Sequence, residues 1–549
     1  MRIKTLGNFL QQHADEHPDR LWLRERHGDD ITDWTWQQCR EQINAAAAWL
    51  EQKYGAGTNI ALLSKNRPHW FMADLAVITS GNVNVPLFTT LSEKHSKYIL
   101  EFAETRMLIL GETMNWDVVQ NVLPNDIEIV TLPGVDCNLP HTRWDDIVSE
   151  CAGKAPDYDA GYDDMVSIAF TSGTTGVPKG AIQTHRSFVA PNERLQHKAK
   201  IQENARAFSY LPLAHIAERS VVEAYSVVYA SQVTFNESLE TLVRDLHDAK
   251  PHYLFGAPRV WEQLQLGVIA AFGSREAYDE ALAADHDNVA QAIREKLGLQ
   301  DAAYLITGAA PAPPSMLDWY CDIGLQLTEG YGQTEAMGLI GATSDENRRG
   351  SIGTASEFIE LKIGADDELL VKAEGLSPGY YKRPERTAEL WQDGWLHTGD
   401  KARVDEDGFV FLSGRVKEYF KTIHGKFVSP APIESDFAAC PDVEQLCLLG
   451  RGYSKTVMIC VLCEQSTDIP KEQVEVSILK TIAGINTDLY AHARIGAAIV
   501  TQEPWTIENG FLTPTLKIRR TEVEKKFGDR AEALGRRAAE THTQIIEWV

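Results

Sequence analysis

The sequence predicts an α/β protein. A large N-terminal domain should hold mostly parallel sheets covered by helices, followed by a β-rich subdomain and a small α+β C-terminal domain. Three observations carry this. Short apolar runs alternate with amphipathic stretches through the first two thirds of the chain, the pattern of βαβ units. From about Glu368 the pattern shifts to short strands and turns. A last stretch, residues 419–549, mixes apolar strands with two long helical patterns.

Ile43 to Tyr54 reads as a helix stopped by Gly55, and Asn59 to Leu63 as a strand. Pro68 to Ser80 is helical, with Pro at its start and Gly81 just past its end, where each is favoured. Val83 to Leu87 follows as a strand. Ser92 to Glu104 reads as a helix with Ser92 placed to cap it and Tyr98, Ile99 and Phe102 on one face. Met107–Leu110, Ile127–Leu132 and Val166–Phe170 are apolar strands. Ser274 to Leu297 is charged and helical, a solvated surface helix or pair of helices with no function assigned. Further on, Glu368–Lys372, Gly379–Tyr381 and Asp405–Phe411 read as short strands and turns. The C-terminal part shows strands near Glu444–Leu449 and Val457–Leu462 and helices near Lys471–Tyr490 and Arg520–Thr541.

At 549 residues the chain is too long for a single compact core, so two or more domains are expected. A formal net charge of -25 argues against a nucleic-acid partner but not against ATP or CoA, which local loops and lysines bind whatever the global charge. The first 20 residues lack the apolar core of a signal peptide, and no apolar run has spanning length. The eight cysteines are scattered, which suits a reducing cytoplasm. Cys460 and Cys463 form a CxxC, but inside an apolar run that reads as a core strand, with no second pair nearby to complete a zinc site.

One stretch stands apart: Thr171-Ser-Gly-Thr-Thr-Gly-Val-Pro-Lys-Gly180, directly after a buried strand. Three Gly, four hydroxyl side chains and one Lys make no packed core element, but they suit a loop wrapped round an anion. Gly173, Gly176 and Gly180 let the backbone approach a ligand, while Thr171, Ser172, Thr174 and Thr175 supply neutral donors and Lys179 a positive charge. A Walker A loop is excluded, because Lys179 lies between Pro178 and Gly180 rather than before a Ser or Thr opening a helix. The loop resembles, almost letter for letter, the phosphate-binding signature of the adenylate-forming (AMP-binding) superfamily.

Further segments match that family in order and cover most of the chain. Thr307-Gly-Ala-Ala-Pro311 is similar to the family turn whose backbone, here Gly308, Ala309 and Ala310, lies along adenine and the acyl carboxylate. Leu327-Thr-Glu-Gly-Tyr-Gly-Gln-Thr-Glu335 is more specific: by resemblance Tyr331 and Gly332 meet the adenine, Thr334 the α-phosphate, and Glu335 holds Mg²⁺. In Asp393-Gly-Trp-Leu-His-Thr-Gly-Asp400, Asp400 should accept the ribose hydroxyls, and in Gly414-Arg-Val-Lys-Glu418, Arg415 should meet ribose and phosphate while Lys417 falls at the family hinge. Gly425 matches the glycine loop that lines the pantetheine tunnel, and Lys517, in Leu512-Thr-Pro-Thr-Leu-Lys517, the adenylation lysine. These matches imply an AMP-binding domain over residues 1–413, a hinge at 414–418 and a mobile C-terminal domain over 419–549.

Within the superfamily, Tyr210-Leu-Pro-Leu-Ala-His-Ile-Ala-Glu-Arg219 looks like the long-chain acyl-CoA synthetase segment, which places His215 beside the acyl site and the helix Ser220–Tyr229 along the chain pocket. Gly256-Ala-Pro-Arg-Val-Trp-Glu262 and the 421–430 segment agree, although Ile423-His424 stand where such enzymes more often carry small hydroxyl residues. The resemblance implies ATP-dependent activation of a fatty acid, long-chain by these segments, to an acyl-adenylate, then thioester formation with CoA. Alternatives are a ligase with a non-CoA acceptor or a non-fatty acid, and an inactive acyl or nucleotide sensor. Peripheral contact with a membrane fits an apolar substrate, though no basic amphipathic helix demands it.

Overall fold

A computed structural model describes residues 4–171, 177–199, 201–310, 312–338, 340, 348–355, 358–507, 509–513 and 517–549, with the side chains of 197 and 198 left aside. Two compact units divide the chain. One comprises Met1–Ala310, Ser315–Leu361 and Val371–Leu396, the other Pro311–Pro314, Lys362–Leu370 and His397–Val549.

The larger unit contains two seven-stranded sheets. In the first, Thr142–Arg143, Glu128–Thr131, Met107–Leu110, Asn59–Leu63, Val83–Leu87 and Met165–Thr171 run parallel in that order, and Lys179–Thr184 adds an antiparallel edge. In the second, Leu327–Gly330, Tyr304–Gly308, Tyr253–Gly256, Arg206–Ser209, Gln232–Phe235 and Leu21–His27 run parallel, with Asp30–Thr35 antiparallel at the edge. Both faces of the central strands are covered, which is why they read as unbroken apolar runs. In Asn59–Leu63, for instance, Ile60 and Leu62 face one core and Ala61 and Leu63 another.

Helix Pro68–Thr79 packs against strands of both sheets, and eleven of its 12 residues are buried, Asp74 among them. The predicted helix 43–54 begins earlier, at Trp36, because Thr35 and Gln38 close a capping box: Thr35 Oγ1 accepts from the Gln38 amide and Gln38 Oε1 from the Thr35 amide. Ser92 stands at the N-cap of Glu93–Phe102 as expected, but its hydroxyl meets His95 Nδ1 at 3.1 Å and makes no backbone cap. The 274–297 stretch is a pair of helices, Arg275–Ala284 and His286–Lys296.

Two segments of the β-rich stretch divide into the turns and strands of that reading as follows. At Gly379–Tyr381 a single bridge, Ala181 to Tyr380, leads into a turn at Tyr381. At 405–411 the strand starts only at Val410 and runs to Arg415; Asp405 instead organises a tight turn, its Oδ1 accepting from the Asp407 and Phe409 amides.

The smaller unit centres on a four-stranded sheet, Val443–Leu449, Thr456–Leu462, Ile495–Thr501 and Ile545–Trp548 in order. Side-chain alternation divides its faces. Met458, Cys460 and Val500 meet helices Pro430–Phe437 and Lys471–Asp488 through Phe437, Val474, Ile478 and Ile482. Val457, Ile459 and Ile499 meet helix Arg520–Thr541 through Val523, Phe527, Ala531 and Leu534. Cys460 is thus a core residue between sheet and helices.

Candidate active site

The expected anion loop closes between two antiparallel strands whose register sets Thr171 opposite Lys179. Ser172, Gly173, Thr174, Thr175 and Gly176 lie outside the described residues. Gly180 is required by packing, since a Cβ there would stand 2.5 Å from Ile168 Cγ2. Lys179 points its ammonium toward the Tyr380 ring, 5.4 Å from the centroid.

The turn after strand Leu327–Gly330 carries the second set. Tyr331, Gly332, Thr334 and Glu335 are brought together by a short 3-10 turn, Thr334–Ala336, ending on a left-handed Met337. Gln333 ties the turn inward by donating from Nε2 to the Tyr331 hydroxyl at 3.0 Å. Gln183, from the strand that Lys179 opens, donates to the Thr334 carbonyl at 2.8 Å. Gly332 admits no side chain, because a Cβ would fall inside the Gly338 carbonyl. The 308–310 turn follows the neighbouring parallel strand: Gly308 pairs with Gly330, Ala309 is left-handed at φ 68°, and Ala309 and Ala310 are exposed.

Glu335 is held from two sides by one turn. Its carbonyl accepts from the Ser377 amide at 2.8 Å, and its carboxylate Oε1 accepts from the Tyr380 hydroxyl. Tyr380 therefore joins the loop lysine to the carboxylate, a residue that sequence reasoning had left among short strands and turns with no role. Its signal was faint, an aromatic pair after Pro378-Gly379.

His215 caps helix Ile216–Glu218, its Nδ1 accepting from the Ala217 amide at 3.2 Å, so the ring proton sits on Nε2. The segment it caps lies against the end of the 331–338 turn, where a Cβ on Gly338 would stand 3.6 Å from Ala217 Cα. The helix continues as a π-helical segment, Arg219–Ala224, and then Tyr225–Tyr229. The two charged residues after His215 are wholly buried. Glu218 Oε1 accepts from Ser209 Oγ at 2.8 Å and from the Tyr210 amide at 3.0 Å, and burial pushes its carboxyl up to about 8 against those hydrogen bonds. Arg219 donates to Asp74, to Ser167 Oγ at 2.7 Å and to Glu223 Oε2 at 3.2 Å, beneath the rings of Trp70 and Phe188. Burial, and next the Asp74 carboxylate, hold Glu223 well above the usual carboxylate range.

In the smaller unit, antiparallel strands Trp395–Val404 and Val410–Arg415 set Asp400 opposite Arg415, whose Nε donates to Asp400 Oδ1 at 2.8 Å. Lys417 is exposed in the turn that follows, where the Glu418 amide donates to the Arg415 carbonyl. Gly425 takes φ 72° in the tight turn between Phe420–Lys421 and Phe427–Val428. Lys517 is exposed where Leu512 bridges Ile518, its amide donating to Thr513 Oγ1 at 3.0 Å. Arg520, three residues on, is anchored, with Nη2 on both oxygens of Glu434 at 2.7 Å.

Comparison with known proteins decides the family. The AMP-binding enzyme model matches residues 10–381, and the AMP-binding enzyme C-terminal domain model matches residues 419–538. The chain belongs to the AMP-binding enzymes. A long-chain-fatty-acid–CoA ligase of Mycobacterium bovis is 26% identical to this AMP-binding enzyme, over 96% of this chain and 97% of its own. A peroxisomal long chain acyl-CoA synthetase of Arabidopsis thaliana is 27% identical, over 98% and 87%. Among solved structures, the adenylation domain of a carboxylate reductase from Mycobacterium chelonae superposes with a TM-score of 0.79 at 21% identity, covering 97% of this chain and 91% of that one. A Mycobacterium tuberculosis fatty acyl CoA synthetase gives 0.67 at 20%, covering 96% and 99%. These likenesses show a shared adenylate-forming fold. Among the described residues no helix is long and apolar enough to cross a membrane.

Proposed function

We propose that this AMP-binding enzyme is an acid–thiol ligase that activates a long-chain fatty acid with ATP and transfers the acyl group to CoA. The observation that carries the reading is the convergence of Lys179 and Glu335 on Tyr380. It sets a cation for phosphate beside a carboxylate for a metal. The names of the 26–27% identical relatives support a fatty acid and CoA as substrates.

A fatty carboxylate oxygen attacks the α-phosphorus of ATP, and the bond to pyrophosphate breaks. The 171–180 loop and Lys179 hold the departing pyrophosphate, Thr334 the α-phosphate, Gly308, Ala309 and Ala310 line the adenine and acyl carboxylate, and Tyr331 stacks on the base beside Gly332. Asp400 accepts the ribose hydroxyls, with Arg415 keeping its carboxylate aligned and meeting ribose and phosphate. Lys517 places its ammonium on the crowded charge of the transition state. The CoA thiol then attacks the acyl carbon, AMP leaves, and the thiol proton is released. We assign the domain division to 414–418, with Lys417 as the hinge that alternates Lys517 and the Gly425 turn at the reaction centre. His215 fixes the start of the helix that walls the acyl chain.

The donor set fits a shared Mg²⁺ rather than a caged one. Among the described residues no three His, Cys, Asp or Glu side chains converge, while Glu335 offers an oxygen besides the one Tyr380 engages. When bound with ATP, Mg²⁺ neutralises phosphate charge.

The test is AMP release with ATP and Mg²⁺ against acids from acetate to oleate and one aryl acid, each with and without CoA. CoA-dependent turnover that peaks at long chains is expected. Pyrophosphate exchange indifferent to CoA would assign another acceptor, and nucleotide binding without turnover a sensor.

A further inference from the structure

We infer that Tyr380 is a positioning residue that presents Glu335 to the divalent cation accompanying ATP. The inference rests on the role proposed above for Glu335.

The argument starts from how little freedom Tyr380 has. Its turn is fastened on every side: the Ser377 amide donates to the Glu335 carbonyl at 2.8 Å, the Ile182 amide to the Gly379 carbonyl at 2.9 Å, and the Tyr381 amide to the Gly180 carbonyl at 2.8 Å. Ser377 Oγ closes the turn from inside, donating to the Gly379 carbonyl at 3.0 Å. The Tyr380 amide donates to Thr387 Oγ1 at 2.9 Å. Gly379 allows this approach at φ 148°, since a Cβ there would stand 2.5 Å from Thr387 Cγ2.

The ring is fixed as firmly as the backbone. Tyr380 is 5% exposed, Trp391 packs edge-on against it at 6.0 Å, and the Lys179 ammonium stands 5.4 Å from its centroid. With backbone and ring set, the hydroxyl has one direction, and it ends on Glu335 Oε1. Glu335 itself lies on a short 3-10 turn that leaves a glutamate side chain several rotamers. A hydrogen bond from a fixed phenol selects one of them and leaves the second oxygen to the metal. Groups that orient a metal ligand in this way are worth about 10–100-fold in metal affinity or activity. The same ring touches the loop lysine, so one side chain sets the spacing between the phosphate cation and the metal carboxylate.

The experiment compares wild type, Tyr380→Phe, Glu335→Gln and the double variant. Tyr380→Phe keeps the ring, its packing on Trp391 and its contact with Lys179, and removes only the hydroxyl. Mn²⁺ binding to the protein–ATP complex is titrated by electron paramagnetic resonance, ATP binding without metal is measured in parallel, and Mg²⁺ is titrated in pyrophosphate exchange. The expected result is an Mn²⁺ dissociation constant raised about tenfold in Tyr380→Phe. Metal-free ATP binding stays within about twofold of wild type, excess Mg²⁺ restores exchange, and the double variant equals Glu335→Gln. Unchanged Mn²⁺ affinity in Tyr380→Phe overturns the inference. So does a loss of exchange that saturating Mg²⁺ does not restore. A wild type that binds no Mn²⁺ with ATP overturns instead the reading of Glu335 on which the inference stands.

Discussion

Glu218 offers a quantitative test of how the core beside the candidate site is built. Its side chain has no exposed surface, its Oε1 holds Ser209 and Tyr210, and burial raises its carboxyl from 4.5 to about 8. The unfolded chain returns it to its ordinary value. The folded state therefore binds a proton between pH 4.5 and 8 that the unfolded state has released. The contribution to stability is fully present below the lower value and is lost as pH rises through the upper one. Each pH unit inside that window removes about 1.4 kcal/mol. Glu218→Gln keeps the acceptor for Ser209 and Tyr210 and abolishes the titration. The variant pays a roughly constant penalty for burying an amide where Oε2 finds no partner. Urea unfolding at pH 5.5, 6.5 and 7.5 should show wild type losing about 2–3 kcal/mol relative to the variant across that range. Glu223, which burial raises in both proteins alike, cancels in the difference. A wild-type-minus-variant difference that stays flat with pH would refute the reasoning.

Three other outcomes are expected. Arg219→Met strands the buried carboxylates of Asp74 and Glu223 and should lower stability by about 3–5 kcal/mol in urea unfolding, where a change below about 1 kcal/mol would contradict the cluster. Lys517→Ala should cut pyrophosphate exchange by about 100-fold or more while leaving thioester formation from pre-made acyl-AMP within about threefold; equal loss of both steps counts against its role. Gly332→Ala forces the 331–338 turn apart at the Gly338 carbonyl, so ATP affinity measured by calorimetry should fall by about tenfold or more, and an unchanged affinity would show that this turn does not meet the nucleotide.

Much of the fold was legible because both faces of its central strands are covered. Asn59–Leu63, Val83–Leu87 and Met107–Leu110 read as apolar runs and are strands over those residues, and helix Arg520–Thr541 matches its spacing of buried residues. The early start at Trp36 was also legible in principle, through Thr35 and Gln38, but the charged Arg40 and Glu41 masked the period there. The site was readable where a local motif carries it, as in 327–335 or around Asp400. Contacts between distant positions were not. Tyr380 finds Glu335 across 45 residues and Arg219 finds Asp74 across 145. Asp74 stands in a largely apolar helix, where periodicity gives a carboxylate no task. Its partner is chosen by the layering of two sheets about that helix, which no window of sequence contains.

The indoles of Trp22 and Trp36 lie 4.0 Å apart and nearly parallel, at 7°. Chromophores so placed share their excited states, so the pair should give a coupled band in near-ultraviolet circular dichroism that isolated indoles do not. One partner stands second in strand Leu21–His27 and the other opens the helix Trp36–Tyr54. The band disappears once strand and helix part. Thirteen tryptophans crowd the emission spectrum, yet this signal comes from one corner of the larger unit. It supplies an intrinsic optical gauge for that unit's integrity, with no label attached.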